Sequence, residues 1–228
     1  MNTSELFKRE INFIKSRHLQ NIVINTLNAS PKCLQIIPSS STKKYHPEYA
    51  VVDGKILEDG TIIEGGLVRH IKATVGFAYA LIESSVLEGM LKAEESRRDY
   101  NSNIEDVVYA SLIMHDCCKA RDDDELHTTQ FAHPLLAATL FKNTANKYVE
   151  ENKESICDED MIHLKEMISL IERCVMSHMG KYNTSKYEKD VVLLKPTTTL
   201  EWFVHQCDLL SSKKYLNFDF GEYLATIK

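Results

Sequence analysis

Apolar residues recur at helical spacing through most of the chain, and a short β-type stretch interrupts them between residues 51 and 63. Leu6, Ile11, Phe13 and Ile14 give an approximate apolar face, so residues 3–29 are predicted helical, in two pieces joined near Ser16-Arg17-His18. Thr3 or Ser4 offers an N-cap, and Pro31 closes the segment. Residues 38–48 form a polar loop. Residues 51–63 set two Asp-Gly pairs among β-prone residues, a hairpin signal. Gly65-Gly66 then opens a helix from Leu67 to about Ala93, and a polar connection covers Glu94 to Ser102. The next helix is capped by Asn103, carries Asp106 in its first turn and ends at His115-Asp116. The acidic loop from Arg121 to Glu125 follows, read as solvated unless a metal orders it. His133-Pro134 starts a helix to about Glu150, with proline in a favoured first-turn place. Asp158 caps another, which carries Leu164, Ile168 and Ile171 and reaches His178. After a Lys- and Tyr-rich loop over residues 179–195, Thr198 and Glu201 form a capping-box pattern for a last long helix through Asp208.

No repeat, low-complexity tract or linker breaks this order. The expected fold is mostly α: one helical-bundle domain over residues 1–228, with an N-terminal helical extension at 1–37 and a β-hairpin insertion at 49–64. Hydrophobic residues at 43% and charged residues at 26% fit a soluble globular chain. No apolar run approaches membrane-spanning length, and Met1 to Leu6 lacks the pattern of a signal peptide, so the expectation is a cytoplasmic protein without a membrane partner. The six cysteines form no Cys-x-x-Cys pair, and Cys117-Cys118 are adjacent; free thiols and no disulfide-linked partner are expected.

Charge refines the picture. Residues 1–50 carry seven Lys/Arg against three Glu, a balance of +4, which leaves −10 of the net −6 in the remainder. An acidic body argues against a broad duplex-tracking surface. A local basic mouth beside an acidic metal pocket suits an anionic substrate instead.

The candidate chemistry centres on Ala110 to Lys119, where an apolar helix end delivers His115 beside Asp116. Imidazole nitrogen and carboxylate oxygen are mixed ligands for a transition metal, and a carboxylate can bridge two ions. His70, His133 and His178 also fall at or near helix ends, and Asp208 lies on the last long helix; such ends can converge on one pocket of a bundle. The loop Ser39-Ser40-Ser41-Thr42-Lys43-Lys44-Tyr45-His46 offers hydroxyls, Lys43 and Lys44 for phosphate, with His46 as a proton donor or phosphate ligand.

The order His70, His115-Asp116 with Lys119, and Asp208 resembles the HD-domain metal-dependent phosphohydrolase superfamily, and His133 and His178 look like the added ligands of its two-metal branch. Gly65-Gly66-Leu67-Val68-Arg69-His70, Ser177-His178-Met179-Gly180 and Pro196 to Glu201 with His205 are similar to segments of bacterial 3′-to-5′ exoribonucleases that join an OB fold to an HD domain. Residues 1–37 are too short for an OB fold, and Met179 stands where many two-metal relatives carry a second histidine.

The resemblance implies an HD-domain-like bundle that hydrolyses phosphoester bonds of nucleotides or nucleic-acid ends through a metal-activated water. His70, His115, Asp116 and Asp208 would hold one ion, and Asp116 would bridge to a second held by His133 and His178. Lys119 would steady the phosphate, with His46 catalytic and Lys43, Lys44 and Arg69 binding substrate. The ions expected are Mn, Fe, Ni, Co or Zn, with Mg less suited to so many nitrogens. The hairpin ahead of Gly65 would act as a lid. Two alternatives stay open: a 3′-to-5′ exonuclease on single strands, and a non-catalytic nucleotide-binding or scaffold protein.

Overall fold

The computed structural model describes residues 2–93, 104–124, 126, 128–216 and 218–226, and in it the chain is a mostly helical bundle with one small antiparallel hairpin. A 3₁₀ turn at Thr3–Phe7 leads into α1 (Lys8–Ile11) and α2 (Arg17–Ala29). The hairpin β1 (Lys55–Ile56) and β2 (Ile62–Ile63) comes next. Then follow α3 (Gly66–Glu83), α4 (Val86–Ala93), α5 (Ile104–Met114), α6 (His133–Asn152), α7 (Asp158–Ser177), α8 (Thr199–Ser211) and α9 (Phe220–Thr226).

Helix α5 positions everything else. Every residue from Asp106 to Met114 is buried, and a helix apolar all round is stable only with neighbours on all sides. Helices α2, α3, α7 and α8 supply them. Leu112 and Ile113 are fully covered, as are Leu67 and Ile71 of α3 and Phe203 of α8. The core therefore surrounds α5, and His115 follows directly on its last residue, Met114.

The joint expected near Ser16 is present, and Asp106 explains it. Its carboxylate accepts the backbone N–H groups of Lys15 and Ser16, both at 2.8 Å. Ser16 then caps α2 by accepting the Leu19 N–H. Asp122 does the same for the next turn, accepting the Lys32 and Cys33 N–H groups at 2.9 and 2.7 Å. The acidic loop is thus not merely solvated: Asp122 ties it to the N-terminal segment, and Asp124 accepts the N–H groups of Leu126 and Thr128 within it. Glu125 lies outside the described residues.

Gly65-Gly66 starts α3 against two other passes of backbone. Gly66 N–H donates to Val52 O and Leu67 N–H to Ile37 O. A Cβ on Gly66 would lie 2.3 Å from Ala50 O, so no larger residue fits without moving the chain. That close approach brings the 36–52 segment alongside the helix that carries His70.

Several boundaries differ from expectation. Residues 67–93 are two helices, because Ser85 takes a left-handed φ of 58° and ends α3 in the manner of a C-terminal cap. Cys157, not Asp158, is the N-cap of α7; its Sγ faces the Asp160 N–H, and Asp158 becomes the first helical residue. The Asn103 cap and the 94–102 connection lie outside the described residues. The hairpin is short, with Lys55 opposite Ile63 and Ile56 opposite Ile62. Ile62 packs on the core. The short α9 was not foreseen; Tyr223 on it donates to the buried Glu10.

Candidate metal centre

Three histidines reach the centre by one local device. His115 follows the last turn of α5, His178 follows α7, and His133 begins α6. Each Nδ1–H donates to the carbonyl three residues upstream: Leu112 at 2.7 Å, Val175 at 2.8 Å and Gln130 at 2.6 Å. The Leu112 and Val175 carbonyls lie in last helical turns and lack intrahelical partners, so His115 and His178 satisfy them. The Gln130 carbonyl precedes α6 and accepts both the backbone N–H and the Nδ1–H of His133, and all three Nε2 atoms turn inward. His70 is fixed differently. The Ser211 hydroxyl donates to Asp208 O, which leaves its oxygen to accept from His70 Nδ1 at 3.0 Å.

The Nε2 atoms meet around Asp116. Its Oδ2 lies 3.6 Å from His70 Nε2 and 3.5 Å from His115 Nε2, whereas its Oδ1 lies 2.9 Å from His133 Nε2 and 3.7 Å from His178 Nε2. Asp208 Oδ1 joins the first group, 3.1 Å from His70 Nε2 and 3.7 Å from His115 Nε2. The structure thus assembles all six sequence-expected ligands, with one oxygen of Asp116 facing each side. His70, His115, Asp116, His133 and His178 are buried, and Asp208 keeps an edge on the adjoining pocket.

This donor set fits a cation. With Nδ1–H committed outward, a neutral imidazole holds a lone pair on Nε2. Yet His70 and His115 face each other Nε2 to Nε2 at 3.3 Å, and so do His133 and His178. Lone pairs opposed at that distance repel unless a positive charge sits between them. The buried groups therefore can hold a metal ion, as the triads His70/His115/Asp116 and Asp116/His133/His178.

Protonation agrees with that reading. Burial holds His178 down to about 3, helped by the charges of His115 and His133, and burial likewise lowers His70 against the pull of Asp208. Both are neutral imidazoles at neutral pH. Burial alone would raise Asp116, but Lys119, His115 and His133 hold it well below the carboxylate range. For His115, burial is outweighed by the carboxylates of Asp116 and Asp208, so its affinity for a proton is raised. Positive charge is therefore favoured at this point.

A pocket of ≈ 1080 Å³ opens beside the centre, reaching Asp208, His70 and Lys119. Lys119 Nζ also holds Asp116 Oδ2 at 2.6 Å, so it stands between ligand and pocket. Of the substrate-binding expectations, Lys44 and His46 line this pocket. Lys43 is exposed and Arg69 half-buried, and neither is on its wall. The hairpin does not cover it either, since no residue of 53–64 lines it; the 39–46 loop takes that place.

Other wall residues were not among the expected site residues: Lys213, Lys214 and Tyr215 carried no expectation, and His205 entered only as part of the resemblance. His205 is anchored through Nδ1–H to His178 O at 2.6 Å. Its ring lies on Gly180, where φ is 57° and a Cβ would come within 2.3 Å of the imidazole. The Lys213-Lys214-Tyr215 run immediately after α8 was the available signal.

No protein-family model matches the chain, and neither the curated proteins nor the solved structures contain a match.

Proposed function

We propose that this chain is an HD-type metal-dependent phosphohydrolase acting on nucleotides or nucleic-acid ends. The observation that carries the reading is Asp116, whose two oxygens face two separate histidine pairs beside a lysine-lined pocket that His70, Asp208 and Lys119 reach. Histidine and carboxylate together favour Mn, Fe, Co, Ni or Zn over Mg. His70, His115, Asp116 and Asp208 would hold one ion, and Asp116, His133 and His178 a second. When bound, such ions supply Lewis-acid polarisation of a phosphoryl oxygen and a more acidic water.

The chain's own residues do the rest. Lys119 places its ammonium at the edge of the centre, where it offsets charge developing on phosphoryl oxygens. Lys44, Lys213 and Lys214 draw an anion into the pocket of an otherwise acidic protein. His46 protonates the leaving oxygen. Its pKa is lowered, first by burial and then by the charges of His70, Lys119 and Lys213, so a bound anion is what loads it with a proton.

The test is hydrolysis by purified, Mn²⁺-supplied protein of nucleoside mono- and triphosphates, cyclic dinucleotides and short RNA, beside Asp116→Ala. Activity on one of these classes that disappears in the variant is expected. Equal activity in both proteins would end the proposal.

A further inference from the structure

Half of the ten tyrosines follow a lysine in the sequence, and the structure sorts those pairs. Lys147-Tyr148 belongs to α6, where Tyr148 is buried and bonded to Asn21. Lys186-Tyr187 stands 95% exposed and off the pocket wall. The remaining tyrosines, Tyr45, Tyr182 and Tyr215, all line the pocket above the candidate centre, at 62%, 48% and 81% exposure. Three large aromatic rings left this open around one cavity make an exposed patch of the kind that marks a binding surface.

The rings are also built into position. Lys214 N–H donates to Tyr45 O at 3.0 Å, which joins the loop before His46 to the loop after α8. Tyr49 adds a second tie, its hydroxyl donating to Ser211 O at 2.7 Å. Lys44 lies over the Tyr45 ring at 5.0 Å and Lys181 over the Tyr182 ring at 5.2 Å. Cations beside open aromatic faces are what a strand of nucleotides requires, since bases stack on the rings while phosphates meet the lysines. The volume of ≈ 1080 Å³ lies just above the roughly 300–1,000 Å³ of pockets that enclose one drug-sized ligand, so size does not confine the site to a mononucleotide.

We infer that Tyr45 and Tyr215, with Tyr182 behind them, are the base-stacking and specificity-determining positions of this site, and that its substrate is a short single-stranded oligonucleotide of at least two bases. This rests on the proposed phosphohydrolase reading and narrows it: one base sits with the scissile phosphate, and the next is held at the rim.

The test is binding by the full-length protein as purified. Phosphorothioate-linked diuridylate, labelled with fluorescein, is titrated by anisotropy beside labelled uridine monophosphorothioate. The dinucleotide should bind about tenfold tighter, because base–aromatic stacking contributes roughly that factor per base. Tyr45→Ala and Tyr215→Ala should each lose most of that gain, whereas Tyr45→Phe, Tyr215→Phe and Tyr187→Ala keep it. Wild-type affinity in both alanine variants, or an equal loss in Tyr187→Ala, overturns the inference. The two readings fail separately. Stacking-dependent binding without hydrolysis of any nucleotide sinks the enzyme proposal alone. Mononucleotide hydrolysis with tyrosine-independent binding sinks the stacking proposal alone.

Discussion

His133 and His178 face each other Nε2 to Nε2 at 3.3 Å, although each ring is turned by a hydrogen bond from Nδ1 to a carbonyl three residues upstream. Rotating either ring away would break that hydrogen bond, and for His178 would leave the Val175 carbonyl of the last helical turn without it; Asp116 Oδ1 completes the triangle. His70 and His115 repeat the relationship across Asp116 Oδ2. The arrangement is held from outside by backbone carbonyls and, at His70, by the Ser211 hydroxyl, and is electrostatically incomplete inside.

Metal content should follow that geometry. Asp116→Ala removes the carboxylate common to both sides, so elemental analysis should find little metal in the variant, with circular dichroism unchanged. His133→Ala disturbs only the Oδ1 side and should keep part of the wild-type content. Full retention by Asp116→Ala would show that the carboxylate is no ligand.

Ser211 tests the supporting shell. It is buried and accepts from His70 Nδ1 while donating to the backbone carbonyl of Asp208, so it fixes the tautomer and orientation of His70. Ser211→Ala should weaken metal affinity by about 10–100-fold, the usual cost of an outer-shell change, in a chelator competition. Ser212→Ala should leave it unchanged, because the Ser212 hydroxyl serves only Leu209 O among the described bonds.

The division between what the sequence reveals and what it hides follows from these contacts. His115-Asp116 at the end of an apolar run and His133-Pro134 at a helix start are side-chain signals, and all six proposed ligands meet in the fold. The acceptors that aim them are Leu112, Gln130 and Val175 carbonyls, which any residue would provide and no pattern marks. Ser84-Ser85 did carry a signal for the break in the helix, but the surrounding apolar period is compatible with continuous helix. Lys43 and Lys44 are neighbours of identical chemistry, and only the path of their loop puts Lys44 on the pocket wall. The rim residues after α8 could not be joined to the 39–46 loop without the backbone bond from Lys214 to Tyr45.

Glu10 gives a stability prediction independent of the metal. It is buried beneath α9, and its Oε2 has no hydrogen-bond partner among the described residues. Burial raises its pKa, against smaller opposing effects of a backbone hydrogen bond, Lys72 and Tyr223. A carboxyl whose folded pKa is raised binds its proton more tightly when folded. Stability therefore falls as pH rises from the ordinary carboxyl range through the folded value, and the loss persists above it. Glu10→Gln keeps an acceptor for Tyr223 and removes the charge. At pH 7.5 it should gain on the order of 1 kcal/mol, about 3 °C in Tm for a chain this long. The difference should shrink towards pH 4, and thermal melts across pH 4–8 would measure it. A variant less stable than wild type at pH 7.5 would mean that the Glu10 charge is compensated.

Kinetics separate binding from chemistry at the 39–46 loop. Lys44 lines the pocket and Lys43 does not, so Lys44→Ala should raise KM several-fold with little change in kcat, while Lys43→Ala behaves as wild type. His46→Ala should instead lower kcat by roughly 10²–10⁴, the usual contribution of a general acid. The sign of the pH effect sharpens the test. His46 has a lowered pKa in the free protein because of burial and the cations around it, so its protonated form is scarce at neutral pH and grows as pH falls. A bound phosphate opposes those cations and raises the pKa. The limb on which activity is lost with rising pH should therefore lie at higher pH for kcat, which reports the complex, than for kcat/KM, which reports the free enzyme. His46→Ala should abolish that limb, and a substrate with a more acidic leaving group should recover most of the lost rate. If the limb survives in His46→Ala, or if the better leaving group gives no recovery, the proton comes from another residue, and His46 serves only to shape the wall.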